Sequence, residues 1–188
     1  MAEVAHLFKF KGVRIVWTNF EGVVGGNSKG KYNKMIGVDE SGNPYGYRTF
    51  NIVLTEDQAD ELRSYGAKIS AHPPKNDDQK TLYTITAFIG KYPPDNMFRV
   101  IPSGKERLTF KTIGLLDHEN IEKADVDINL KYWEKDGNSG YKAWVKNFAV
   151  YIKEDEFVAS LSNIPDIGGG YSEDYGGPTE DDDEEIPF

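Results

Sequence analysis

The sequence predicts a mainly β protein, a small antiparallel barrel or sandwich with one or two short helices and a disordered acidic tail. Three observations predict it. Runs rich in β-branched and aromatic residues recur along the first 165 residues, separated by Gly-, Pro- and Asn-rich punctuation. A convincing helix signal occurs in one place, after Leu54. Beyond Pro165 the chain turns Gly-rich, acidic and poor in aliphatic residues, so it cannot bury enough apolar surface to offset the entropy of ordering.

The strand-like runs are residues 13–17, 33–38, 47–54, 81–89, 97–101, 125–134 and 141–153. Thr55-Glu56-Asp57-Gln58 has the spacing of a capping box, Ala59, Leu62 and Tyr65 follow at helical intervals, and Gly66 is a stop. A second, short helical turn is expected over residues 117–123. Short strands around one or two helices, joined by loops of about ten residues, suit a small barrel or sandwich. No internal repeat is present.

The last two runs read as a hairpin. Residues 135–140, Lys-Asp-Gly-Asn-Ser-Gly, form a turn by composition, which sets Glu134 opposite Tyr141. In that register Val126, Ile128, Leu130 and Tyr132 face the core opposite Ala149, Asn147, Val145 and Ala143. The outer face then pairs Trp133 with Lys142, Lys131 with Trp144 and Asn129 with Lys146. Two tryptophans among three lysines on an outer face is unusual, because large aromatics normally turn inward.

The chain holds 188 residues, 22 of them basic and 31 acidic, for a formal net charge of −9, and no cysteine. The missing cysteine excludes a disulfide framework and thiolate metal sites. His6, His72 and His118 are too dispersed to suggest a His-based metal site or a catalytic triad. No run reaches the roughly 18 apolar residues that cross a bilayer, and residues 1–11 lack the features of a signal peptide. The expectation is a soluble, cytoplasmic protein with no membrane partner. Nine of the 31 acids lie in residues 166–188, which contain no Lys or Arg, so residues 1–165 balance 22 acids against 22 bases. The acidity belongs to the tail, and the body is judged separately. The division expected is a binding domain over 1–165 and a tail over 166–188.

Two motifs are rejected. Residues 25–32 nearly fit the phosphate-binding loop G-x-x-x-x-G-K-[ST], but Tyr32 stands where the Mg²⁺-binding hydroxyl belongs and no helix follows. A cationic loop between strands is the better reading. Asp125-Val126-Asp127-Ile128-Asn129 has metal-like acid spacing but lacks the Gly and terminal Glu of an EF-hand, and alternates as a strand does. No pair of carboxylates and no Ser/His/Asp set stands out. Neither an enzyme nor a cofactor is expected.

The sharpest motif is the last eight residues, Asp181, Asp182, Asp183, Glu184, Glu185, Ile186, Pro187 and Phe188. A solvated acidic tail is the plain alternative. An apolar residue, a stiffening proline and a terminal ring with its own carboxylate instead suit a basic-rimmed apolar pocket on another protein. This ending resembles the C-terminal tip of bacterial and phage single-stranded-DNA-binding proteins, which recruits replication, recombination and repair enzymes in that family. The body is longer than the bacterial type, carries a helix after Leu54 and lacks a Gln/Pro-rich linker, so the layout is closer to tailed-phage members. The resemblance implies an OB-fold core (a five-stranded Greek-key barrel with extra strands), a bacteriophage source and the host cytoplasm. It also implies single-stranded DNA and polymerase or helicase-primase partners, the latter through the tip.

Binding single strands without sequence preference combines a cationic groove for phosphates with aromatic faces for bases. The candidate DNA-binding residues are Lys29, Lys31, Tyr32, Lys34, Tyr47, Arg48, Lys91, Tyr92, Arg99, Lys131, Trp133, Lys142, Trp144 and Lys146. Core packing is the rival for each Tyr, and a homodimer contact for the two tryptophans. Two other functions stay open: a metal-dependent nucleic-acid enzyme with a recruitment tail, and a β-rich protein-binding adaptor.

Overall fold

The computed structural model describes residues 5–26, 32–90 and 93–154. They fall in one compact unit that ends at Glu154, so the tail and its tip lie outside the described residues. In chain order the elements are β1 (His6–Val13), β2 (Ile15–Asn19), β3 (Gly25–Gly26), β4 (Tyr32–Asn33), β5 (Met35–Val38), β6 (Pro44–Gly46) and β7 (Arg48–Leu54). Then come α1 (Glu56–Ser64), β8 (Ser70–His72), β9 (Leu82–Ile89), β10 (Met97–Ile101), β11 (Gly104–Arg107), a 3₁₀ turn (Ile113–His118), β12 (Ile121–Lys135) and β13 (Asn138–Ile152).

The main sheet runs β1-β12-β13-β9-β7-β2. All neighbours are antiparallel except β13 and β9, which are parallel. β1 and β2 are consecutive, parted only by Arg14, whose carbonyl accepts the Val53 amide at 2.9 Å. One bent strand therefore begins and ends the path, and the sheet closes on itself. Five strands in this order, with the third and fifth parallel, make the Greek-key barrel of the OB-fold. Closure between β13 and β9 rests on two rungs, Ala143 with Ala87 and Trp144 with Phe88. Further along β13, β10 takes over as the parallel neighbour and carries β11 as a short hairpin.

Alternation fills the barrel. Phe50, Ile52 and Leu54 of β7, Ile85, Ala87 and Ile89 of β9, and Val126, Ile128 and Leu130 of β12 point inward and are buried. Phe20, Phe50 and Phe148 form the centre, with Phe50 5.5 Å from Phe20 and 5.1 Å from Phe148 between ring centroids. Helix α1 closes one side. Thr55 accepts from the Gln58 amide while the Gln58 side chain accepts from the Thr55 amide, as the capping-box spacing requires. Ala59 and Leu62 are its buried face. Tyr65 does not enter the core but lies against His6 and Phe8 of β1. Gly66 takes φ +85°, and a Cβ there would stand 2.8 Å from the Tyr141 ring, so the stop also lets that ring approach.

Five expectations need correction: the turn, the near and far halves of the β12–β13 register, the second helical turn and the first strand. The hairpin turn is two residues, Asp136 and Gly137 with φ +52° and +77°, not six, because Asp-Gly suits a tight turn whose twist matches the strands. The register near it therefore slips by two residues. Trp133 faces Gly140, Lys131 faces Lys142 and Asn129 faces Trp144. An even slip keeps the parity of each side chain, although Tyr132, expected in the core, is exposed, and a bulge opposite Asp127 and Ile128 then reverses the far half of β13. Phe148 and Val150 face the core there, in place of Asn147 and Ala149. The second helical turn lies over Ile113–His118, earlier than expected, with Ile113 and Leu116 buried on one side. Ile121 already belongs to a strand, opposite Ile152. Strand β1, absent from the expected runs, alternates Phe8 and Phe10 inward against exposed Leu7, Lys9 and Lys11.

Candidate nucleic-acid interface

β7 and β9 are the second and third strands of the barrel. The long connection from β2 to β7 and the β12–β13 turn are its first-to-second and fourth-to-fifth loops. These are the surfaces on which an OB-fold binds oligonucleotides or oligosaccharides. On β9 the inward set is Ile85, Ala87 and Ile89, so Thr84, Thr86 and Phe88 share the outer face. Phe88 lies beside Thr49 of β7 and Trp144 of β13.

Four rings meet on this face around one cation. Tyr47 stands edge-on to Phe88 at 5.8 Å and to Trp144 at 6.1 Å, and Phe88 lies 5.8 Å from Trp144. The Lys142 Nζ sits 5.4 Å from the Tyr47 centroid, 5.4 Å from Phe88 and 5.2 Å from Trp133. Such contacts attract the ammonium to the ring faces. All five side chains are half-buried, fixed by their neighbours yet open to solvent on one side. Gly140 stands opposite Trp133, and a Cβ there would meet the indole Nε1 at 3.4 Å, an ordinary contact. Beside Trp133 opens a groove of about 640 Å³ that joins the two loops; it carries Lys34, Lys68 and Lys135 against a single acid, Asp136. A fixed cation among half-exposed rings, next to a cationic groove, can hold a phosphate and stack bases at once.

Of the residues expected to bind DNA, the structure brings together Tyr47, Trp133, Lys142 and Trp144, with Lys34 and Lys131 exposed nearby in sequence register. Lys146 is exposed at the bulge. Arg99 lies apart, on β10, paired with Glu106 at 2.8 Å and with Glu119. Arg48 points inward. It is 5% exposed, its Nε–H donates to the Phe20 carbonyl at 2.8 Å, its Nη2 to that of Phe110 at 3.3 Å, and its guanidinium covers the Phe110 ring. Burial lowers its pKa below the usual arginine value, and it remains a cation. Lys29, Lys31, Lys91, Tyr92 and the tip from Asp181 to Phe188 lie outside the described residues, as does the Tyr32 side chain. Phe88 was missed from the sequence, although the alternation of 82–89 places it beside Thr84 and Thr86.

Arg48→Ala should cost about 1–3 kcal/mol of stability, because a buried carbonyl and a part-buried one lose their donor, and should leave single-strand affinity unchanged. Urea unfolding paired with an oligonucleotide titration checks both halves.

Asp125 and Asp127 serve the fold. Asp125 accepts from the Gly12 amide at 2.8 Å and the Tyr151 hydroxyl at 3.2 Å, and Asp127 from the Asn147 side chain at 2.7 Å. Among the described residues no group of three or more His, Asp or Glu could hold a metal ion, and no helix is long and apolar enough to cross a membrane.

Barrel, loops and ring cluster together define an OB-fold protein that exposes an aromatic, cationic face on the side where such folds take their ligands. The sequence profile of one family, described as "Putative phage ssDNA-binding domain", matches residues 3–182. The chain belongs to this family of phage single-stranded-DNA-binding domains, which is a DNA-binding family and not an enzymatic one. Among solved structures it is similar to the single-stranded DNA-binding protein from bacteriophage Enc34, at 11% identity over 79% of this chain and 81% of that one, with a TM-score of 0.44. A C-terminal truncation of that protein is 12% identical over 79% and 87% of the chains with a TM-score of 0.43. Its complex with single-stranded DNA is 13% identical over 79% and 86%, with a TM-score of 0.42. No curated protein matches the chain by sequence.

Proposed function

We propose that this protein coats single-stranded DNA, largely without sequence preference, during phage replication or recombination in the host cytoplasm. The observation that carries the reading is the Lys142 ammonium held among the rings of Tyr47, just before β7, Phe88 of β9 and Trp133 of β12, with Trp144 of β13 against them. Stacking on these rings is open to every base, so at most a modest pyrimidine preference is expected. Titrating oligo-dT against tryptophan emission at two salt concentrations tests it. Quenching is expected, with affinity falling by a slope of about 0.7 per phosphate contact. Equal or tighter binding of duplex DNA at the same salt would overturn it.

The tail, residues 166–188, is proposed as a partner hook and as a competitor for the protein's own groove. It holds nine acids and no Lys or Arg, and the other 165 residues are formally neutral, so it imitates a strand of phosphates. A random coil of the same 23 residues would span roughly 26 Å r.m.s., against a body radius of gyration of about 15 Å by size scaling. Deleting the tail should tighten DNA binding, most at low salt where screening is weak, and abolish recruitment of polymerase or helicase-primase. Deleting Phe188 alone should abolish recruitment and leave the competition. DNA affinity unchanged by the full deletion at low ionic strength would remove the competitor role.

A further inference from the structure

We infer that Trp17, set against His72 at the other end of the same outer face, is a second base-stacking station on the single-strand path. This rests on the proposed DNA-binding function and extends it to a residue outside the ring cluster.

Trp17 sits in a β-bulge. Val16 faces Asn51 and Asn19 faces Thr49, so Trp17 and Thr18 together oppose Phe50 alone. Its φ is +51°, in the left-handed region where a bulky side chain is a true outlier. Bulges of this kind re-aim a side chain, and strained backbone persists where function retains it. Core burial does not explain the arrangement, because Trp17 remains 40% exposed as a residue. Its described ring contact is the edge of His72, 4.7 Å between centroids at 63°.

The position on the face follows from alternation. The His72 Nε2 lies 3.1 Å from the Thr84 hydroxyl, which is buried beneath it. Thr84, Thr86 and Phe88 point the same way along β9. His72, with the Trp17 indole laid against it, marks one end of the strip, although the Trp17 backbone is level with Phe50 and so with Ala87; Phe88, Trp144 and Tyr47 mark the other end. Between them the Thr86 hydroxyl donates to the Asn51 Oδ1 at 2.9 Å, which makes the floor there polar. From Thr84 to Phe88 is four strand residues, about 13 Å at ~3.3 Å each. That covers about four nucleotides at the ~3.4 Å rise of a stacked strand, or fewer if the strand is extended. An OB-fold occupies ~4–16 nucleotides, so both stations fit on one bound strand.

Affinity measured on the full chain with oligo-dT of about 4, 8 and 16 nucleotides, lengths taken from that range, tests the station. Trp17→Gly removes the ring and relieves the strained φ. It should weaken binding of the two longer oligonucleotides by roughly 5- to 150-fold, the worth of one stack. The shortest, which the ring cluster alone can hold, should bind as before, and the urea midpoint should not fall. Trp17→Phe, still able to stack, should keep most of the affinity. Replacing Trp133 and Trp144 by Phe leaves Trp17 as the sole indole of a chain with three, and oligo-dT should quench its emission.

Native affinity at every length in Trp17→Gly would overturn the station and leave the ring cluster standing. So would a lowered urea midpoint with unchanged affinity, which marks a packing residue. If Trp144→Ala binds normally while Trp17→Gly does not, the cluster fails and the station stands. A native chain that binds no oligo-dT overturns the proposed function and the station with it.

Discussion

Trp144→Ala is expected to weaken single-strand binding by about 1–3 kcal/mol, the range for losing one base–aromatic stack. The cooperative urea transition should persist, because Trp144 is half-buried on the outer face and packs on Tyr47 and Phe88, away from the core. Lys142→Ala should cost less and lower the salt slope by about 0.7 if its ammonium holds one phosphate. The two variants thus separate base stacking from charge at side chains that share neighbours. Tryptophan quenching and affinity at two salt concentrations measure both. If Trp133→Ala and Trp144→Ala each bind poly-dT like the native chain, this face is the wrong one.

Phe148→Ala should destabilise the barrel by about 3–5 kcal/mol, the usual cost of removing a buried phenyl ring. Phe148 is 1% exposed, lies 5.1 Å from Phe50 and 5.9 Å from Phe20, and has little room for the site to collapse. Its neighbour Ala149 faces outward, so Ala149→Ser should fall within about 0.5 kcal/mol of native, as ordinary surface changes do. Urea denaturation of the pair checks the bulge directly. A costly Ala149→Ser beside a mild Phe148→Ala would mean that β13 keeps one uninterrupted register.

The hairpin shows where local information ran out. Asp136-Gly137 lay inside the six residues assigned to the turn, and the tight-turn preference of Asp-Gly was legible there. With that turn the near half of the register is correct. The bulge is different. Val145 and Phe148 are both core residues three apart, a spacing that strict alternation cannot produce and that an inserted residue between them can. The placement of Phe148 was thus recoverable in principle, at the cost of abandoning period two. Arg48 was misleading for another reason. Tyr-Gly-Tyr-Arg reads as a cationic aromatic stretch, but Arg48 has the parity of Phe50 and Ile52, and carbonyls of distant segments receive its guanidinium.

The sequence alone determined the β class, the capped helix after Leu54, the neutral body before an acidic tail, and an outer face on which Trp133, Trp144, Lys131 and Lys142 alternate. Each of these depends on composition, or on spacing within one element, and both are local. Tertiary structure decided what lies between elements. It closed β1 and β2 onto opposite ends of one sheet, set Tyr47 and Phe88 around Lys142 from positions about forty residues apart, turned Arg48 inward and aimed Trp17 outward through a bulge. No single run of residues encodes these outcomes, because each depends on which strands become neighbours, and barrel closure chooses that over the whole chain at once.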